Sequence, residues 1–287
     1  MEGKIHFLNT GHSDCIILES QGALAMIDAA EDNDYPADKP NLKLQGYEDE
    51  VVDYLLKNFS NEKGEVNIDF VLGTHCHSDH IGGFDTVINH PKINVKAAYL
   101  KPYNEEDIFV MERKRWDNKE VYCQMLDAIE KNGVELIQDF DRKRLSLGDF
   151  EIEFFNGSYK KRKKHFGENI NSVVTLVTLH KYKALLAGDL NYKDGDEKRI
   201  ANMIGKVDIL KVGHHGYFGS TSFIWSRMLE PDYSIVCNWS KNIYPDVRFK
   251  LKHIAKSKII ATADTDGVLA IMTEKGVEIK TGIMPAK

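Results

Sequence analysis

No stretch of this sequence approaches the roughly 18 uncharged apolar residues that a membrane-spanning helix needs, so no such helix is expected. Cysteine is scarce: Cys15, Cys76, Cys123 and Cys237 are the four, none in CxxC spacing, and their gaps fit no zinc finger. Four reduced thiols are the simplest reading. Proline is also scarce, at seven residues, and no Pro-, Gly- or Ser-rich linker, low-complexity tract or short repeat marks a boundary. One domain over residues 1–287 is therefore expected. Excess positive charge is missing too. The net charge of −6 argues against a protein held on nucleic acid or anionic lipid by bulk charge. The start, Met1-Glu2-Gly3-Lys4-Ile5-His6, has no apolar h-region, and together with the thiols it predicts a cytoplasmic protein away from membranes.

The chain does have material for a full core. Its 287 residues are 42% hydrophobic and 29% charged, the balance of a soluble globular protein. Alternation predicts strands at 4–8, 15–19 and 23–28, the last two forming a hairpin about Ser20-Gln21-Gly22. Residues 47–59 place Val51, Leu55, Leu56 and Phe59 on one helical face, and 117–132 place Val121, Met125 and Ile129 on another. Buried strands are expected at 68–74, 95–100, 172–179, 182–187 and 207–212, and shorter ones at 134–138, 145–147 and 151–155. A helix is expected at 84–89, and the tail alternates helices at 220–229 and 246–254 with strands. Strands in blocks with helices between them predict two mixed sheets covered by helices.

The chemistry concentrates at Thr74-His75-Cys76-His77-Ser78-Asp79-His80-Ile81-Gly82-Gly83, directly after the apolar run 68–74. In extended chain, alternate side chains share a side, so His75, His77 and Asp79 group together and Cys76 turns away to pack. His80 joins once the chain turns at Gly82-Gly83. Such a set suits Zn, Mn or Fe. Without a cation these ionisable groups would be costly to desolvate together. A loop of surface histidines has no reason to follow a buried strand and end in Gly-Gly. Two more apolar strands end in ligand-type residues: Leu185-Leu186-Ala187-Gly188-Asp189 and Leu210-Lys211-Val212-Gly213-His214-His215-Gly216. Three strand ends facing one edge are what a two-metal hydrolytic site needs.

These segments, in this order, resemble the metallo-β-lactamase superfamily, as do the start 5–11 and the strand end Met26-Ile27-Asp28. Within it the sequence is similar to the hydrolase domain of the ComEC-like DNA-uptake proteins and to the bacterial phosphorylcholine esterase catalytic module. The resemblance spans essentially the whole chain. It implies an αββα sandwich and two divalent metal ions, Zn or Mn. It places His75 and His77 on one metal, Asp79 and His80 on the other, and Asp189 between them. One of His214 and His215 completes the second site. His214 is favoured, with His215 acting catalytically on the leaving group alongside Asp79. Asp28 braces the motif from behind. The chain departs from many family members in offering no histidine over 168–172, although His165 lies nearby. It also lacks the His of the ComEC-like C-terminal pattern at 242–246.

The resulting expectation is a binuclear metal-dependent hydrolase in which a hydroxide shared by the metals attacks a phosphodiester or related phosphoester, on a small molecule or oligonucleotide. A DNA nuclease, a phosphocholine-releasing esterase, a thioester or lactone hydrolase and a non-catalytic binding protein are the alternatives. The basic run 160–164, with Lys161 and Lys163, reads as a phosphate-collecting lip. His12, Asn169 and Asn171 are further substrate-contact candidates. Trp116, Tyr217, Phe218, Trp225, Trp239 and Tyr244 are aromatics that could include a cage for a quaternary ammonium.

Overall fold

Alternate residues of each strand enter different cores, and this builds the layers. The computed structural model describes residues 1–285 apart from Tyr35, Ala37, Asp38, Pro40, Asn41, Lys43, residues 162–166 and Gly195. One sheet has eight strands, in the order Gly276–Thr281, Val268–Thr273, Glu2–Phe7, Cys15–Ser20, Ala23–Ala29, Phe70–Gly73, Ala97–Leu100 and Glu135–Ile137. The other has seven: Lys258–Ala261, Tyr233–Val236, Ile209–Lys211, Tyr182–Leu186, Val174–Leu179, Phe150–Phe155 and Arg144–Leu147. Each sheet is antiparallel in one half and parallel in the other.

Ile5, Phe7, Ile16, Leu18 and Ile27 of the first sheet meet Ile152, Phe154, Val177, Leu186 and Ile209 of the second in the central core. Ile17, Met26 and Val71 of the first sheet face outward, under helices Glu48–Phe59, Phe84–Asn89 and Asn118–Lys131. On the far side Leu185, Leu210 and Val236 pack under Asp196–Ile204 and Phe223–Leu229 through Ile200, Ile204, Trp225 and Leu229. The result is the αββα sandwich. Each fully buried phenylalanine, such as Phe150 or Phe154, contributes about 1.5–3 kcal/mol. Among the described residues no helix is long and apolar enough to cross a membrane.

Three local features differ from the sequence reading. The run 68–74 splits at Asp69, whose carboxylate accepts the Leu24 N–H at 3.1 Å. Val66–Ile68 pairs apart with Ile93–Val95. Helices Asp196–Ile204 and Val110–Arg115 form where the sequence reading places no element. The third difference lies in the motif itself. The strand ends at Gly73, His75 and Cys76 bend, and a single helical turn, Ser78–Ile81, carries Asp79 and His80. The Ile81 N–H reaches the His77 carbonyl at 3.0 Å and the Gly82 N–H the Ser78 carbonyl at 2.8 Å. Gly82 and Gly83 are needed for space: a Cβ on Gly82 would lie 2.7 Å from the Asp32 nitrogen, and one on Gly83 2.4 Å from the Ala29 carbonyl oxygen.

Candidate metal centre

Parallel strands aim their C-terminal ends at one edge, and in α/β sheets ligands gather there. Ala23–Ala29, Phe70–Gly73, Tyr182–Leu186 and Ile209–Lys211 deliver Asp28, the 74–80 motif, Asp189 and the 213–216 turn to that edge. The last turn is strained. His214 and His215 both take positive φ, 49° and 48°, which costs a non-glycine residue roughly 1–3 kcal/mol. Asn238 holds the turn by donating to the His215 carbonyl at 3.1 Å.

Five imidazoles are each anchored through one ring nitrogen. His75 Nδ1 bonds Thr74 Oγ1 at 3.1 Å, with Ser172 Oγ at 3.3 Å. His77 Nε2 donates to Glu112 Oε1 at 3.0 Å. His80 Nδ1 donates to Asp28 Oδ2 at 2.7 Å, while Asp28 also takes the Thr74 N–H and hydroxyl, both at 2.8 Å. His214 Nδ1 meets the Phe218 carbonyl at 3.2 Å, and His215 Nδ1 the Cys237 carbonyl at 3.2 Å. Partners of this kind fix tautomer and ring orientation at metal sites.

The opposite nitrogens converge. His75 Nε2 and His77 Nδ1 stand 3.0 Å apart. His80 Nε2 lies 3.2 Å from His215 Nε2 and 3.2 Å from Asp189 Oδ1. His215 Nε2 lies 3.2 Å from Asp79 Oδ2 and 3.4 Å from Asp189 Oδ1. His214 Nε2 stands farther out, 4.0 Å from Asp189 Oδ2. With the other nitrogen of each ring committed to its anchor, the converging nitrogens and carboxylate oxygens form a donor set that fits divalent metals. Ligand atoms of Asp14, His80, Asp189 and His215 all lie within 4.8 Å of one another, buried. Of the two adjacent histidines, the buried His215 enters this group.

The same carboxylates draw positive charge onto the buried rings. Burial disfavours a charged His80, but Asp189, Asp28 and Asp79 outweigh it and push its pKa up to about 10. His215 rises for the same reason, through Asp189 and Asp14. Burial, then His80 and His77, push His75 well down, leaving it neutral.

Three contributors escaped the sequence reading. Asp14 closes the buried group and ion-pairs with Lys211, which also lies 3.6 Å from Asp189 Oδ1 and donates to the Gly188 carbonyl at 2.9 Å. Burial opposes charge on Lys211, yet Asp14 and Asp189 raise its pKa. A lysine inside the apolar strand Leu210-Lys211-Val212 was the available signal. Glu112, from helix Val110–Arg115, takes bonds from His77, Asn118 and the Glu168 N–H, and nothing in its local sequence marks it.

A cavity of about 470 Å³ opens on this centre. His12 and Asn169 line it, as do Trp116 and Tyr217. Asn171 instead bonds Glu168 at 2.7 Å behind the motif. Lys161 is exposed and is not part of the cavity wall. Lys163 and His165 lie outside the described residues. Cys76 is buried in the outer core. Trp225 packs in the core, Phe218 pairs edge-on with Tyr244, and Trp239 abuts Gly11; none of these four lines the cavity with Trp116 and Tyr217.

An αββα sandwich with histidines and carboxylates at the strand ends defines a class of metal-binding folds. The chain belongs to the Metallo-beta-lactamase superfamily, whose family model matches residues 8–238. It is 25% identical over 269 residues to ComE operon protein 3 of Bacillus subtilis, covering 92% of this chain and 32% of that protein. It is 33% identical over 116 residues to Recombination protein 2 of Haemophilus influenzae, covering 39% of this chain and 14% of that one. The chain thus spans a third or less of the length of these relatives. Among solved structures it is similar to the metallo-beta-lactamase fold protein YhfI of Bacillus subtilis, with TM-score 0.55, 12% identity and coverage of 98% and 100%. It is also similar to Igni18, a metallo hydrolase from Ignicoccus hospitalis, with TM-score 0.50, 16% identity and coverage of 94% and 98%.

Proposed function

We propose that this chain is a two-metal hydrolase of phosphodiesters or related phosphoesters. The observation that carries the reading is the pair of converging donor groups joined by Asp189. Its Oδ1 faces His80 and His215, while its Oδ2 faces His214. His75 and His77 would hold one cation. Asp79, His80 and His215 would hold the other. His214, anchored through Nδ1 and with Nε2 on the Asp189 Oδ2 side, would offer that nitrogen to the first, in place of the imidazole missing from 168–172. This moves His215 into the second site in place of His214, and His214 away from it. Asp28 and Glu112 fix the rings, and Lys211 with Asp14 balances charge behind the centre.

Bound divalent cations supply Lewis acidity, activate water near neutral pH and stabilise charge developing on phosphoryl oxygens. The chain's own part is to pre-position these groups and to wall the reacting ester off from bulk water. Its similarity to ComE operon protein 3 and Recombination protein 2 keeps an oligonucleotide among the substrates, and the net charge of −6 favours a small molecule. The cytoplasm remains the proposed location.

The test is hydrolysis of bis(p-nitrophenyl) phosphate after chelation and re-addition of Mn²⁺ or Zn²⁺, beside Asp189→Asn. Metal-restored activity that the variant lacks supports the reading. Cleavage of thioesters, lactones or β-lactams with no phosphoester cleaved would overturn it.

A further inference from the structure

Large apolar side chains stand in solvent on the face beside the cavity. Phe218, Phe223, Ile224, Tyr244 and Phe249 are each between 39% and 55% exposed. They belong to one neighbourhood. The Phe218 ring lies edge-on to Tyr244 at 5.4 Å, and the Tyr244 N–H bonds the Gly216 carbonyl at 2.9 Å. Helix Pro245–Phe249 runs on into the turn Lys250–Ile254, against which helix Phe223–Leu229 packs. That helix buries Trp225 and Leu229 and leaves Phe223 and Ile224 outside. Phe218 follows Tyr217 of the cavity wall, so the patch begins at the cavity. An apolar side chain exposed singly needs no explanation, but several gathered on one face mark an interaction surface.

The charge here runs against that of the whole chain. Residues 239–253 hold Lys241, Arg248, Lys250 and Lys252 against Asp246 alone, in a chain of net charge −6. Asp246 pairs with Lys250 at 2.5 Å. Lys241, Arg248 and Lys252 are exposed, and the Arg248 guanidinium donates to the Ser240 carbonyl rather than to an acid. Arg227, also exposed, stands one helical turn from Phe223 and Ile224. Nearby, Asp264 takes the Ser240 N–H at 2.9 Å, and Glu230 sits at the far end of helix Phe223–Leu229. A second copy of this face would set like charges against each other. Single-stranded nucleic acid needs open ring faces to stack on. Here Phe218 and Tyr244 close on each other, Phe249 lies 5.0 Å from the His253 ring, and Ile224 has no ring to offer. A lipid interface takes both kinds of side chain, rings and aliphatic groups into the headgroup layer and cations onto the lipid phosphates.

We propose that this face docks on an anionic lipid bilayer and holds the cavity beside it. The attachment is peripheral and local, so the bulk charge of −6 does not oppose it. It is independent of the reaction proposed above.

The test is co-sedimentation of metal-loaded protein with vesicles of phosphatidylcholine alone, or of phosphatidylcholine with an equal part of phosphatidylglycerol. Wild type should sediment with the mixed vesicles, at least about tenfold more tightly than with the neutral ones. The double variant Phe223→Ser with Phe249→Ser should lose about tenfold or more in affinity for the mixed vesicles. Lys241→Gln with Lys252→Gln should lose about fivefold per cation. Both variants should keep the wild-type metal content and circular dichroism, which separates the surface from the fold and the centre. No sedimentation with either vesicle, equal binding to both, or a phenylalanine variant that binds as wild type does would overturn the proposal. So would oligothymidine binding, or a dimer in sedimentation velocity, that the phenylalanine variant abolishes while vesicle binding persists.

Discussion

His77 gives its Nε2 hydrogen to Glu112 at 3.0 Å and so turns Nδ1 toward His75. The two residues come from distant segments, and the carboxylate settles which nitrogen is free. Burial disfavours a charged His77, but Glu112 outweighs it and raises its pKa. Glu112→Ala removes that anchor. It should weaken binding of one metal about 10–100-fold and leave the other unchanged. Competition titration against a chromogenic chelator would read this as one shifted step of two.

Lys211 is fully buried against Asp14. Removing one partner of a buried pair strands the other charge, which costs about 3–5 kcal/mol. Lys211→Met should therefore lower unfolding free energy in urea by that order. The double change Lys211→Met with Asp14→Asn should recover part of the loss. A double variant no better than the sum of the singles would deny the coupling.

Gly82 packs against Asp32 and the Ser78 carbonyl. Gly82→Ala drives a methyl into backbone and should cost about 1–3 kcal/mol. It also shifts the turn bearing Asp79 and His80, so metal affinity should fall together with stability. A stable variant with unchanged metal binding would show that the turn tolerates the Cβ.

Glu197 accepts the Thr221 and Ser222 N–H groups at 2.6 and 2.8 Å, holding the loop after the His214–His215 turn. Burial nevertheless pushes its pKa up to about 7, from 4.5 in the unfolded chain. Between those values the folded state holds a proton that the unfolded state releases. Its contribution to stability is therefore full below pH 4.5 and lost as pH rises through about 7. The loss is up to about 3 kcal/mol. Urea melts across that window should show wild type losing stability relative to Glu197→Gln as pH rises. A constant difference would place the Glu197 titration elsewhere.

Much of this was legible in sequence because period-two alternation and strand-end motifs are local signals. Ile5, Phe7, Ile16 and Leu18 reveal their face without any partner. His75, His77, Asp189 and the His214–His215 pair reveal themselves by following apolar strands. What stayed hidden depends on distant pairing. Asp14 and Lys211 are nearly 200 residues apart and acquire meaning only when their strand ends meet. Glu112 sits in a charged stretch, Met111-Glu112-Arg113-Lys114-Arg115, that reads as surface until helix Val110–Arg115 folds over the cavity. The helical turn at Ser78 was hidden for a different reason. Ser and Asp favour helix starts as readily as loops, and the close packing of Gly82 and Gly83 on 28–32 decides the matter.

The central claim is two cation sites joined by Asp189, and metal stoichiometry tests it most directly. Chelated protein is reloaded with Zn²⁺ or Mn²⁺, and bound metal per chain is measured by mass spectrometry, with the chromogenic competition giving each affinity. The account predicts two equivalents in wild type. It predicts one in His77→Ala, one in His215→Ala, and weakened binding of both in Asp189→Asn. A wild type that saturates at a single equivalent, or one that keeps both metals when His77 and His215 are each replaced, would contradict it.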